Sequence, residues 1–212
     1  MDLSLLFVDV RGSTNLAERM TPTEFSRLMN RFYAVVTDVL VKTSAFIDKL
    51  VGDEVIGIYL PIFTGSNHAR PAADAAMELL RVTGHGGPGK PWLPVGVGVH
   101  TGRAFFGTVS GADGTFSDFT ALGDTVNTAA HVAAAAQAGE ALITEASYVA
   151  AGLDLGELEQ RSLRLKGKSE PVTVRVVQIH LRPVELPNVP MNPDDGVAPL
   201  RRRGLSGTFG AA

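Results

Sequence analysis

The stretch LLFVDVRGST, residues 5–14, constrains the chain more than any other. Its apolar run has no polar face, so it reads as a strand buried on both sides. The run ends on a carboxylate, Asp9, and turns at once through Arg11, Gly12, Ser13 and Thr14. A carboxylate left alone at the edge of an apolar core is costly, so a metal, another cation or hydrogen-bond donors must meet it there.

The pattern downstream supplies the rest of a layered fold. From Glu24 the apolar positions Phe25, Leu28, Met29, Phe32, Val36, Val39 and Leu40 recur at helical spacing, and Thr21-Pro22 provides an N-cap and a first-turn proline. AFIDKLVGDEVIGIYLP (45–61) predicts two strands, about 45–50 and 54–60, around a tight turn at Gly52-Asp53. A helix follows over 67–83, then a loop over 84–92, a glycine-rich strand over 94–102 and a second strand near 103–109. FSDFTAL (116–122) is extended, the alanine-rich DTVNTAAHVAAAAQA reads as a closely packed helix, and ALITEASY as a strand entering a short helix. Residues 158–179 form a closing β-hairpin with its turn at Gly167–Pro171, and 181–212 read as a flexible tail carrying Arg201-Arg202-Arg203. Helices alternating with strands and ending in a hairpin indicate an α/β or α+β sandwich.

Composition narrows the function. With 212 residues, one domain with a tail is expected, and a formal net charge of −3 argues against a nucleic-acid binder. The absence of cysteine excludes disulfides and thiolate metal sites. No apolar run reaches the ~20 residues of a membrane span, and Asp2 and Asp9 bracket a run too short for a signal peptide, so a cytoplasmic protein is expected. The chain starts almost on its first strand, so no N-terminal sensor is expected, and the tail is too short to be one.

A second acid answers the first. Asp53 lies in the turn of KLVGDEV, where a sheet would bring it beside Asp9. Two close carboxylates repel unless cations sit between them, and Mg²⁺ suits one or two carboxylates plus substrate phosphates. The alternative for Asp53 is a turn aspartate satisfied by backbone donors. Asp9 alone would also suit a receiver domain or a haloacid-dehalogenase-type phosphatase. The phosphatase, however, wants an acid where Arg11 stands, and the receiver wants an acid pair that is missing.

LLFVDVRGST, KLVGDEVIGIY, VGVGVHTGRAFFGTVSG, DFTALGDTVNTAAHV and RLKGKSEPVTVRVVQ, in this order, resemble a class III nucleotidyl cyclase catalytic domain over roughly residues 3–180. The resemblance implies an α+β, ferredoxin-like βαββαβ sandwich with a C-terminal β-hairpin, and residues 1–180 as the cyclase homology domain. It implies conversion of ATP to 3′,5′-cyclic AMP and pyrophosphate, in a dimer with active sites between subunits. Asp9 and Asp53 match the acids that hold two Mg²⁺ or Mn²⁺ ions, and Gly12, Ser13 and Thr14 the turn whose backbone meets phosphate. Lys49 and Thr120 match the purine-reading pair. A lysine donates to a ring nitrogen and a hydroxyl accepts from an exocyclic amine, which suits adenine. Arg103 and Lys166 match phosphate contacts, and Asn127 the asparagine that positions the ribose.

One position departs from the pattern. Four residues after Asn127, on the same helix face, the family normally has an arginine, and this chain has His131. A neutral imidazole offers one donor without the fixed charge and planar fork of arginine. The chain is therefore expected to be a slow homodimeric cyclase or the metal-donating half of a heterodimer with an arginine-bearing half. A degenerate cyclase fold that binds nucleotide or a partner without turnover is the other reading.

Overall fold

In the computed structural model, which describes residues 1–112, 115 and 117–179, the opening apolar run is strand β1 (Asp2–Val10) inside a seven-stranded sheet. The chain continues through α1 (Ser13–Arg19), α2 (Pro22–Lys42), β2 (Phe46–Val51), β3 (Glu54–Tyr59), α3 (Pro61–Thr64) and α4 (Ala69–Val82). It then forms β4 (Val95–Arg103), β5 (Phe105–Ser110), β6 (Ser117–Leu122), α5 (Asp124–Ala135), β7 (Glu140–Thr144), α6 (Glu145–Ala150), β8 (Gln160–Leu163) and β9 (Val172–Gln178). The sheet order is β2-β3-β1-β4-β7-β9-β8, and β5 pairs with β6 in a separate two-stranded arm. All sheet pairings are antiparallel except β4 with β7. Strands β1 to β4 with α2 and α4 make the expected βαββαβ unit, and β8–β9 is the expected closing hairpin. The tail expected over 181–212 lies outside the described residues.

Both faces of β1 are covered, which explains its unbroken apolar run. Leu6, Val8 and Val10 meet α2 and α4 in one core, among Met29, Phe32, Val36, Leu79 and Leu80. Leu3, Leu5 and Phe7 point the other way, towards Ala129 and Ala133 of α5. Helix α2 starts at the expected N-cap: Glu24 N donates to Thr21 Oγ1, and Thr21 N donates back to Glu24 Oε2 at 2.9 Å. Helix α1 was not expected beyond the turn at its start. It has seven residues and none is buried, so it leaves no apolar stripe to read.

The glycines of β4 have a packing reason. A Cβ added at Gly98 would lie 2.4 Å from Ala133 N, so the glycine lets α5 rest directly on the strand. Alanines at 129 and 133, fully buried, complete that close approach. Val132 of α5 and Ala136 just after it pack on Leu142, Val174 and Val176 and dock the closing hairpin. Arg161 of β8 grips the buried Glu140 of β7 through two hydrogen bonds of 2.8 and 2.7 Å, which fixes the same hairpin.

Candidate active site

Asp9 is the last acid-bearing position of β1, and the β2–β3 turn brings Asp53 to it. Val10 N donates to Asp53 O at 3.1 Å, and Tyr33 of α2 donates its hydroxyl to Gly52 O, so the turn is tied to both neighbours. Ser13, in the first turn of α1, donates to Asp53 Oδ2. Ser13, Thr14, Gly52 and Asp53 line a cleft of ≈ 330 Å³ with Ala17 and Phe25. Gly12 caps α1 with φ 72, and a Cβ there would meet nothing within 4 Å. Its glycine is thus required by the left-handed backbone, and the space beside it is open.

The group that meets Asp9 is Arg11. Arg11 is the first residue of the turn that follows β1. Arg11 Nη2 lies 2.8 Å from Asp9 Oδ2, and the guanidinium also donates to Ala133 O and Ala134 O of α5, each at 3.3 Å. Burial nevertheless raises the Asp9 pKa, Arg11 opposes the rise, and the neighbouring Asp53 adds to it. Glu54, opposite Asp9 on β3, is raised by burial and then by Asp9 and Asp53. Three carboxylates with one arginine are short of positive charge, and that donor set fits a hard divalent cation. Among the described residues no cluster of three or more His, Cys, Asp or Glu side chains is arranged to ligate a metal. A cation at Asp9 and Asp53 would therefore complete its shell with phosphate or water oxygens.

Lys49 of β2 meets the β6 arm, the strand that carries Thr120. Lys49 Nζ lies 2.5 Å from Asp118 Oδ2 on the β6 arm, and 3.8 Å from Asp48 Oδ1. The hydrogen bond from Lys49 lowers the Asp118 pKa. Burial raises the pKa of Asp48, while the Thr120 hydroxyl and the Lys49 ammonium oppose that rise. The arm is held over β2 by edge-to-face contacts of Phe46 with Phe106 and Phe119, at 5.4 and 5.9 Å between ring centroids. Sequence reasoning missed Asp48, Asp118, Arg11 and Glu54. Each stands beside a residue that had been singled out, or within two of one, and that adjacency was the available signal.

Asn127 and His131 share one face of α5, as their spacing requires. With Asp124, Thr128, Lys166, Gly167 and Lys168 they line a cleft of ≈ 300 Å³ against the β8–β9 connection. Lys168 pairs with Asp124 at the start of α5 and closes one end of the cleft. This cleft shares no lining residue with the cleft at Asp53. Ala133 and Ala134 reach Arg11, whereas Asn127 sits six residues earlier, about 9 Å along the helix at 1.5 Å per residue. Arg103 is exposed and pairs with Asp2 at the far end of β1, while Gly96 pairs with Asp9. At ~3.3 Å per residue the two ends are about 23 Å apart, so one chain does not bring Arg103 to Asp9.

Residues 1–178 match the family described as the adenylate and guanylate cyclase catalytic domain. The chain belongs to this family. It is 31% identical over 185 residues to an adenylate cyclase of Anabaena cylindrica, covering 83% of this chain and 36% of that protein. It is 29% identical to the terminal-differentiation-specific adenylate cyclase of Dictyostelium discoideum, covering 81% of this chain and 8% of the other. The chain thus spans little more than a third of the first relative and a small part of the second. Among solved structures, the adenylyl cyclase CyaB from P. aeruginosa superimposes with a TM-score of 0.72 at 28% identity, over 84% of this chain and 94% of the other. The guanylyl cyclase Cya2 superimposes with a TM-score of 0.73 at 24% identity, over 88% and 96%, a likeness of fold. Among the described residues no helix is long and apolar enough to cross a membrane.

Proposed function

We propose that residues 1–180 form an adenylate cyclase catalytic domain whose active sites are shared between two protomers. The observation that carries this reading is the separation of two complementary groups in one chain. Asp9, Asp53 and Ser13 lie at one end of β1, while Asn127, His131 and Lys166 line a different cleft. Neither group suffices alone for a nucleoside triphosphate, and a two-fold axis would set one against the other. Leu50, Val51, Phe105, Phe119 and Leu122 on β2 and the arm are exposed apolar side chains, which a second copy would cover.

In such a site Asp9 and Asp53 would hold Mg²⁺ or Mn²⁺. When bound, these ions acidify the ribose 3′-hydroxyl and neutralise the triphosphate. Asn127 orients the ribose so that the 3′-oxygen faces the α-phosphorus. The new 3′ O–P bond forms as the bond to pyrophosphate breaks, and the hydroxyl proton leaves to solvent. Lys166 and, from whichever protomer presents it, Arg103 meet phosphate oxygens, and His131 faces the phosphorus from α5. Lys49 and Thr120 contact the purine. The relatives named as adenylate cyclases, at 31% and 28% identity, support ATP over GTP.

His131 supports a second reading, in which the chain provides the metal half of a heterodimer and turns over slowly or not at all by itself. Cyclic nucleotide formation by the purified chain, with ATP and GTP compared side by side in Mg²⁺ and in Mn²⁺, separates the two. Cyclic AMP formation above cyclic GMP formation is expected. Binding of ATP without turnover would favour the heterodimer, and absence of both would overturn the adenylate cyclase reading.

A further inference from the structure

We propose that Arg11 and Ser13 leave Asp9 and Asp53 one ligating oxygen each, and that this selects Mg²⁺ over Ca²⁺. The inference rests on Asp9 and Asp53 as the acids that hold metal. It makes Arg11 and Ser13 positioning residues, acting through the two carboxylates.

The physical problem is discrimination between ions of equal charge. Both take carboxylate oxygens, so two acids by themselves do not choose between them. Ca²⁺ is the larger ion, takes more ligands and accepts one carboxylate through both of its oxygens. Mg²⁺ demands a near-regular octahedron, which the narrow bite of a two-oxygen carboxylate distorts, and it keeps several waters. A site that offers one oxygen per acid therefore favours Mg²⁺.

Each acid here has one oxygen engaged. Arg11 Nη2 lies 2.8 Å from Asp9 Oδ2, and Ser13 donates its hydroxyl to Asp53 Oδ2. Among the described residues no protein donor reaches either Oδ1, and neither atom is buried away from water. A Ca²⁺ ion held by both oxygens of Asp9 would sit about 2.5 Å from Oδ2, the atom that the guanidinium holds. Two cations on one oxygen repel. Arg11 is not free to step aside. It also donates to Ala133 O and Ala134 O, each at 3.3 Å, in the last turn of α5, where the helix dipole is negative. A Cβ at Gly96 of β4 would lie 2.9 Å from Arg11 Nε, so the strand leaves room for the guanidinium. An arginine that only capped α5 would need no carboxylate, and one that only neutralised Asp9 would need no second anchor. Held at both ends, it decides which oxygen of Asp9 is offered.

The test compares Mg²⁺ and Ca²⁺ in competition with Mn²⁺, whose uptake by the full chain is read from the loss of its free-ion electron paramagnetic resonance signal. Removing Arg11 strengthens the binding of every divalent cation through charge, and that gain cancels in a ratio of two dissociation constants. Ligand geometry does not cancel. The Ca²⁺ to Mg²⁺ ratio of dissociation constants should fall about 10-fold in Arg11→Met, the lower end of what partners of metal ligands contribute. Ser13→Ala should move it in the same direction. Ser13 lies in α1, where no residue is buried, so this variant carries the test if Arg11→Met does not fold. A ratio unchanged in every variant that folds, with both affinities moving together, overturns the inference alone and leaves Arg11 as a source of charge. A wild type that takes up no Mn²⁺, with or without an ATP analogue lacking the 3′-hydroxyl, overturns the metal reading of Asp9 and Asp53, and this inference with it.

Discussion

Asp9 stands where three influences compete. Burial and Asp53 favour the protonated form and Arg11, at 2.8 Å, favours the carboxylate, with burial the largest. With Glu54 pushed the same way, the end of β1 holds more negative charge than its one arginine offsets. Asp9→Asn and Asp53→Asn should therefore each lower kcat/KM by about 100-fold or more, since both remove charge stabilisation that the triphosphate needs. Residual rates above about a tenth of wild type, measured at saturating Mn²⁺, would remove these acids from the site. His131 poses the opposite question. It faces the same cleft as Asn127, so His131→Arg places a permanent cation where the phosphoryl charge grows. The gain should be about 10-fold and should appear in kcat rather than KM. A variant that binds ATP and turns over no faster would put His131 outside the reacting centre.

At the scale of elements, the cleft depends on where α5 and the β8–β9 hairpin come to rest. Helix α5 lies so close to β4 that a Cβ at Gly98 would meet Ala133 N at 2.4 Å, a backbone atom that cannot swing aside. Gly98→Ala should cost about 1–3 kcal/mol by overpacking, and lower activity further because Asn127 and His131 move with the helix. Chemical denaturation paired with turnover measures both, and a variant with wild-type stability would mean that α5 packs otherwise. The hairpin is held by Arg161 on Glu140, and this contact lowers the Glu140 pKa. Its stabilising effect is therefore present above the ordinary value of 4.5 and lost as pH falls through the depressed folded value. Arg161→Met removes the cation from a buried carboxylate that keeps only the Gln137 N and Gln178 Nε2 donors, and should cost about 1–3 kcal/mol at pH 7. The deficit should shrink as pH falls below 4.5 and Glu140 takes up a proton. A deficit independent of pH in thermal melts would show that Arg161 acts through packing alone.

For the whole molecule, the question is whether one chain holds a complete site. The acids lie at one end of β1, and Asn127 stands about 9 Å along α5 from the carbonyls that reach Arg11. If Asp53 and the purine-reading pair serve a site from opposite protomers, Asp53→Ala and Lys49→Ala proteins are each inactive. Mixing them should then restore activity, because a mixed dimer contains one intact site. At equal concentrations with free exchange, recovery should approach about a quarter of the wild-type rate, since half the dimers are mixed and each keeps one of two sites. Absence of recovery, with subunit exchange shown by crosslinking of differently tagged chains, would rule out the shared site.

What could be read from the residues alone was the local part of this architecture. The unbroken apolar run of β1, the Thr21 cap and spacing of α2, and the tight turns around Asp53 and Gly167 are each decided within a few residues, where sterics and periodicity act. The order of motifs likewise identified the family and singled out Asp9, Asp53, Lys49, Thr120, Asn127 and His131 as candidates. Helix α1 escaped because a helix with no buried residue has no periodic signal. Tertiary structure alone decided which groups meet. Arg11 was legible only as a turn residue, and the packing of α5 shows that its guanidinium bridges Asp9 to Ala133 and Ala134. It also decided that Asp48, an ordinary strand aspartate in the sequence, is buried with its Oδ1 3.8 Å from Lys49 Nζ. Desolvation and charge coupling act through space, so a residue's chemistry follows from its covering neighbours rather than from its neighbours in the chain.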